Sequence, residues 1–200
     1  MNREEFVRFA GRGERLERLL RAAAAITAEL APHGLKPVVV GGSAVEFYTS
    51  GAYTTLDVDM VVEGLQEIDA ALRGLGFRRL AGTSYVHPQV DIVIDLPAEP
   101  LAGDPRRISS VSVDGLVAYV IGLEDIIADR LRAFVYWEDR ASEEWAVQLM
   151  AAQWEYIDWP YLATLAKAES AAFSEALGAC REMAEALVRS TQGGDPADLT

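Results

Sequence analysis

The chain has 200 residues, half of them hydrophobic, and a formal net charge of -13. That length suits one α/β domain or a small domain with a helical appendage. The charge argues against a broad nucleic-acid-binding surface, which needs clustered cations, and no apolar run approaches the ~20 residues needed to span a bilayer.

The N-terminus, MNREEFVRFAGRGERLERLL, carries both charge signs and no signal-peptide apolar region. Cys180 is the single cysteine, which excludes an internal disulfide and suits a reducing compartment. The expectation is a cytoplasmic protein with no membrane partner. Lys36 and Lys167 are the only lysines, so a phosphate clamp would be an arginine. His33 and His87 are isolated, and with one cysteine there is no zinc spacing.

Residues 14–31 read as an amphipathic helix, with Leu16, Leu19, Leu20, Ala23, Ile26 and Leu30 at helical spacing. Arg12, Arg15, Arg18 and Arg21 recur every three residues beside it, as a solvated face or a surface for a partner. Pro32 stops the helix, because it lacks an N–H and disfavours helical geometry at Ala31. Strand one follows at Pro37–Val40. Gly41-Gly42-Ser43 then opens a short helix, a turn surrounds Gly51, and Leu56–Val62 re-extends.

On that second strand successive side chains point to opposite faces. Asp57 and Asp59 therefore share one face, and Leu56, Val58 and Met60 share the other. Two carboxylates side by side repel unless a cation lies between them, and magnesium takes one or two carboxylates plus phosphate oxygens. A glycine pair ending a strand and opening a helix lets N–H groups approach an anion, and the helix dipole favours phosphate there. Ser43 is placed to cap the helix or to donate to a phosphate.

Leu65–Leu75 is a second amphipathic helix, closed by Gly74 and Gly76. FRRLAGTSYVH and VDIVIDL are two extended segments around His87-Pro88-Gln89. In the second, Asp91, Val93 and Asp95 face one way and Ile92, Ile94 and Leu96 the other. Asp91 and Asp95 are both candidates for a third carboxylate. They stand four residues apart, roughly 13 Å on a strand, so they do not share one ion. A Pro/Gly-rich connection spans residues 96–107. ISSVSV and LVAYVI flank Asp114-Gly115, a hairpin signal, and Gly122 ends the sheet region.

From Leu123 the chain reads as helix, with Glu124 and Asp125 in a first turn where acids favour the dipole. Trp137, Trp145, Trp154 and Trp159 read as helical core. Asp158-Trp159-Pro160 restarts a helix, the last helix runs from about 169 to 189, and the tail 191–200 is expected to be disordered.

Gly41-Gly42-Ser43, thirteen residues, then Asp57-Val58-Asp59-Met60 resembles the signature of the DNA polymerase β-like nucleotidyltransferase superfamily. More narrowly it is similar to the minimal nucleotidyltransferases of prokaryotes, which include aminoglycoside-modifying and toxin–antitoxin members. The resemblance covers about residues 35–140. Together with the helical periodicity that alone covers the last 60 residues, the expectation is an α+β (α/β) fold: a small mixed sheet core over 1–121, a helical region over 122–190 packed beside it, and the tail.

The resemblance also implies transfer of NMP from an NTP to a hydroxyl acceptor, with two magnesium ions, or manganese, held by Asp57, Asp59 and Asp95. Asp95 is favoured as third acid because Val-Ile-Asp-Leu-Pro followed by Pro-Leu-Ala-Gly-Asp looks like one minimal branch. Gly41, Gly42 and Ser43 would hold the phosphates. The run EDIIADRLRAF resembles a toxin-type helix in which a lysine contacts the phosphates, and Arg130 stands at that position. Those relatives place an Arg-Asp pair later, which is reversed here as Asp139-Arg140. The acceptor could be RNA, a protein or a small molecule such as an aminoglycoside. An antitoxin-type partner, or a non-catalytic nucleotide-binding protein of the same fold, is the further alternative.

Overall fold

The computed structural model describes residues 1–55 and 57–192. Leu56 and residues 193–200 of the expected tail lie outside the described residues. The chain forms an α+β fold of two compact units, Met1–Gly122 and Leu123 onward.

The first unit begins with a helix that the hydrophobic pattern did not announce, α1 (Arg3–Ala10). Its signal is a capping box rather than a stripe. The Asn2 side chain accepts from the Glu5 N–H at 3.0 Å, and the Glu5 carboxylate accepts from the Asn2 N–H at 2.8 Å. Phe6 and Ala10 are its buried residues. Next come α2 (Arg15–Leu30), β1 (Val38–Val39), α3 (Gly41–Tyr48), β2 (Asp57–Val61) and α4 (Leu65–Leu75). The segment read as one extended run, FRRLAGTSYVH, folds back on itself as β3 (Arg78–Ala81) and β4 (Ser84–His87). Gly82 makes the reversal possible, at a φ of 53°. β5 (Ile92–Asp95), β6 (Ser109–Val113) and β7 (Leu116–Val120) complete the sheet. Asp114 and Gly115 both have positive φ between β6 and β7, the type I′ geometry expected of that dipeptide.

The seven strands lie in the order β3-β4-β5-β2-β1-β7-β6. β2 is parallel to β5 and antiparallel to β1, and β1 is parallel to β7. Alternation divides the sheet cleanly. Val58, Met60, Ile92, Ile94, Ala118 and Val120 share a buried face, and α2 packs on β7 and α4. Asp57, Asp59, Val93, Asp95 and Val61 are half-buried on the other face.

Three of the four arginines in the stripe reach tertiary partners, while Arg12 is exposed. Arg15 pairs with Glu46 of α3 at 3.4 Å, Arg18 donates to the Val90 carbonyl, and Arg21 donates to Asp114 at 2.9 Å. These long side chains flank the apolar face of α2, so their stems cross it and their heads reach three different segments.

The second unit contains α5 (Leu123–Trp137), α6 (Arg140–Ala152), α7 (Trp159–Glu169) and α8 (Ala171–Gln192). Asp158 caps α7 by accepting from the Tyr161 N–H at 3.1 Å, with Pro160 in the first turn. The tryptophans are not its core. Trp137 is 74% exposed, and Trp145, Trp154 and Trp159 are half-buried. Ile126, Ile127, Leu131, Leu149, Met150, Leu162 and Phe173 are the buried set. Trp154 and Trp159 pack ring on ring at 4.8 Å, and the Arg181 guanidinium lies over Trp159 at 4.3 Å. A cation on one face suits a ring left at the periphery. Cys180 is fully buried in α8, and burial pushes its thiol up to about 11, so it is not a reactive group. No helix among the described residues is long and apolar enough to cross a membrane.

His87 is a core residue of the first unit. It is fully buried, with its ring 5.1 Å from those of Phe6 and Phe77. Its Nδ1 accepts from the Gln89 N–H at 3.2 Å, and Nε2 faces the Leu75 carbonyl at 3.2 Å, the pattern of a neutral ring. Burial lowers its pKa from 6.5, against the raising effect of the Leu75 carbonyl. The unfolded chain therefore binds a proton first on acidification, and stability present above pH 6.5 falls as pH drops through that value. Urea unfolding midpoints should decline from pH 7.5 to 5.5 in the wild type, and His87→Gln should remove most of that decline.

Candidate active site

The three acids meet where β2 and β5 run side by side. Asp59 is the register partner of Asp95, and Asp57 the partner of Val93. One carboxylate oxygen from each of Asp57, Asp59 and Asp95 lies within 4.8 Å of the others, and all three residues are half-buried. Like charges this close repel by about 3 kcal/mol per pair at an effective dielectric near 20. Asp95 Oδ1 is buried and makes no hydrogen bond. Buried polar atoms are normally satisfied, so this oxygen and its two neighbours fit a hard divalent cation.

Asp91 is not part of this cluster. It sits in the turn before β5, exposed, at a φ of 50°, with its N–H donating to the His87 carbonyl at 3.2 Å. The hairpin explains this. The chain needs residues 88–91 to reverse from β4 into β5, so β5 begins only at Ile92.

Gly41 is needed on two counts. Its φ is 56°, and a Cβ there would strike the Asp59 carboxylate. The backbone of the glycine turn therefore lies directly against a metal-ligand candidate. At Gly42 a Cβ would crowd Tyr53 and Thr55. No side chain caps α3, so its first-turn N–H groups are available to an anion.

Ser43 does not serve as that cap. It is buried, and its hydroxyl donates to the Asp57 carbonyl at 2.7 Å, clamping α3 to β2.

Two residues of the site escaped the sequence reading. Thr55 donates its hydroxyl to Asp57 Oδ1 at 2.8 Å, fixing the carboxylate's orientation. The Thr55 N–H donates to Glu46 Oε2 at 3.2 Å, and Glu46 is 2% exposed with Arg15 on its other oxygen. The chain Arg15–Glu46–Thr55–Asp57 thus ties α2 and α3 to one metal-ligand candidate. The available signal was a lone glutamate inside the otherwise apolar helix GGSAVEFY.

Arg130 lies in the helical unit on α5, where its guanidinium pairs with Asp129 at 2.5 Å. Asp139 is the N-cap of α6. It accepts from the Ser142 hydroxyl at 2.6 Å and the Ala141 N–H at 3.1 Å, and the Ser142 bond lowers its pKa. That structural role accounts for it.

No family description and no curated protein matches the chain. Among solved structures it is similar to an antigenic nucleotidyltransferase-like protein from Paracoccidioides brasiliensis. The identity is 13% and the TM-score 0.62, over 87% of this chain and 92% of that one. It is also similar to the antibiotic-resistance factor ANT(2'')-Ia in solution (17% identity, TM-score 0.44, 84% of this chain and 94% of that one). The crystal structure of ANT(2'')-Ia with adenylyl-2''-tobramycin matches at 19% identity and a TM-score of 0.40, over 84% and 95%. The first of these shows the fold: the chain has a nucleotidyltransferase-like fold. The two ANT(2'')-Ia likenesses are too loose to add to that.

Gly41→Ala should cost about 1–3 kcal/mol through its strained φ and weaken Mn²⁺ binding, read by calorimetry, because its methyl displaces Asp59. Thr55→Val should weaken Mn²⁺ binding with a melting temperature within a few degrees of wild type, and Thr55→Ser should restore it.

Proposed function

We propose that this protein is a metal-dependent nucleotidyltransferase that moves NMP from an NTP to a hydroxyl acceptor. The observation that carries the reading is the convergence of Asp57, Asp59 and Asp95 on one point, against a glycine turn held open by Gly41, in a nucleotidyltransferase-like fold. Magnesium ions held by these acids, or manganese in their place, would neutralise charge on the attacking and leaving oxygens of an in-line displacement.

The chain's own groups divide the remaining work. The N–H groups at Gly41 and Gly42 hold the β- and γ-phosphates. Ser43 holds the turn itself in place through the Asp57 carbonyl. Thr55 keeps Asp57 aimed. Asp95, whose Oδ1 has no hydrogen-bond donor, takes the proton of the acceptor hydroxyl as its oxygen attacks the α-phosphorus and pyrophosphate leaves. Arg130 is kept as the proposed triphosphate contact on the resemblance of its helix alone. The net charge of -13 favours a small-molecule or protein hydroxyl over RNA, and with it a detoxifying or modifying role over a toxin with an antitoxin partner.

The test pairs calorimetry with labelled transfer. Wild type should bind NTP only with Mg²⁺ present, and should pass label from the α-phosphate to an acceptor fraction. The double variant Asp57→Asn, Asp59→Asn should lose NTP affinity by at least about 100-fold, roughly 2.7 kcal/mol. Its metal-free melting temperature should be equal or higher, because two repelling charges are gone. Undiminished NTP binding by the double variant would falsify the assignment. Binding without transfer to RNA, protein or small-molecule fractions would identify a non-catalytic nucleotide-binding protein instead.

A further inference from the structure

A cavity of about 610 Å³ lies on the same side of the sheet as the three acids, wholly within the first unit. Its size falls within the range of small-molecule sites. Val61 and Pro97 both line it. Val61 is the next same-face position after Asp59 on β2, about 7 Å further along the strand, and Pro97 follows two residues after Asp95, just past the end of β5. Val38 lies directly opposite Val61 in the β1–β2 ladder and also lines the cavity. The Pro/Gly-rich connection from β5 to β6 supplies the outer wall through Leu101, Pro105 and Ile108. Leu65, 64% exposed, stands at the rim.

The order along β2 then matters. The glycine turn follows β1 and lies level with the acids, with Gly41 against the Asp59 carboxylate and Ser43 bonded to the Asp57 carbonyl. Asp95 flanks β2 on its other side, on β5, and the cavity lies further along, at the Val61 end of β2. In-line displacement at phosphorus puts attacking and leaving oxygens on opposite sides. With pyrophosphate leaving toward the glycine turn, the attacking oxygen comes from the β5 side, past Asp95, where the chain runs on through Pro97 into the cavity wall.

We infer that this cavity is the acceptor site, and that the acceptor is a small alcohol with an apolar body; the inference rests on the transferase reading above. Its walls are mostly aliphatic and proline. Their charged groups are Glu63, Glu99 and Lys36, and the Lys36 ammonium lies over the Tyr119 ring at 4.1 Å. Two carboxylates at the rim favour a neutral or cationic molecule. An RNA end would need clustered phosphate-binding cations, and Lys36 is the one cation lining this wall among the described residues. The acceptor O–H bond breaks, its proton passes to Asp95, its oxygen bonds the α-phosphorus, and the bond to pyrophosphate breaks.

The test uses fluorinated benzyl alcohols and cyclohexanols, followed by fluorine NMR with Mn²⁺ added as a paramagnetic probe. The expected result is binding to wild type, with the bound line broadened by Mn²⁺. In Asp57→Asn, Asp59→Asn the alcohols should still bind but lose the Mn²⁺ broadening. Leu101→Trp, which fills the cavity, should abolish alcohol binding and keep Mn²⁺ binding. Ile108→Trp, from another part of the wall, serves where Leu101→Trp does not fold. Absence of alcohol binding, binding that survives the filled cavity, or a bound line that Mn²⁺ leaves sharp overturns the acceptor site while leaving the transferase reading intact. Displacement of the alcohols by a non-hydrolysable NTP makes the cavity a base site and also overturns it. Failure of wild type to bind Mn²⁺ at all removes the transferase reading, and the acceptor site with it.

Discussion

Three carboxylates held within 4.8 Å of one another are a cost that the rest of the first unit is built to carry. Nothing in the hydrophobic effect brings them together. The parallel pairing of β2 with β5 does, because register places Asp95 beside Asp59, and register in turn is set by the apolar face. Val58, Met60, Ile92 and Ile94 are nearly completely buried. Slipping either strand by one residue would turn those side chains outward and the acids inward. Burial of four aliphatic side chains, at about 1.5–3 kcal/mol each, is of the same order as the repulsion of three carboxylate pairs at about 3 kcal/mol per pair. The geometry of the acid cluster is thus held by the core on the opposite face of the same strands.

The second constraint is the close approach of backbone to carboxylate at Gly41. The turn lies so near the Asp59 carboxylate that even a methyl group is excluded. Ser43 then locks the turn to the strand through the Asp57 carbonyl, and Thr55 orients the Asp57 side chain from the other direction. Buried Glu46, paired with the partly exposed Arg15, anchors Thr55 in place. A partly exposed ion pair adds little to raw stability, and its position behind a metal-ligand candidate makes orientation its better explanation.

Much of this was readable in the chain. Alternation along LDVDMVV separated the two acids from the apolar set. Glycines between an apolar run and a helix marked the turn, and Asp114-Gly115 marked its hairpin. These signals are local, because strand period and turn chemistry act over a few residues. The third acid was harder. Alternation in VDIVIDL puts Asp91 and Asp95 on one face and leaves the choice open. It was decided by how many residues the β4–β5 reversal consumes. The arginines of α2 misled for a similar reason. A stripe at helical spacing reads as surface, whereas their partners, Glu46, the Val90 carbonyl and Asp114, are 31, 72 and 93 residues away. The tryptophans misled by size alone, since aliphatic residues already fill the helical core.

What the sequence by itself determined is therefore the local structure: a glycine turn opening a helix, two carboxylates on one strand face, and the helices and strands that present them. What only the tertiary structure decided is which distant groups join them. Asp95 rather than Asp91, the Arg15–Glu46–Thr55 support, and the cavity beyond Val61 and Pro97 all depend on strand register and on loops that bring remote residues together. No period within a short window encodes such pairings, because they follow from burying the sheet's apolar face as a whole.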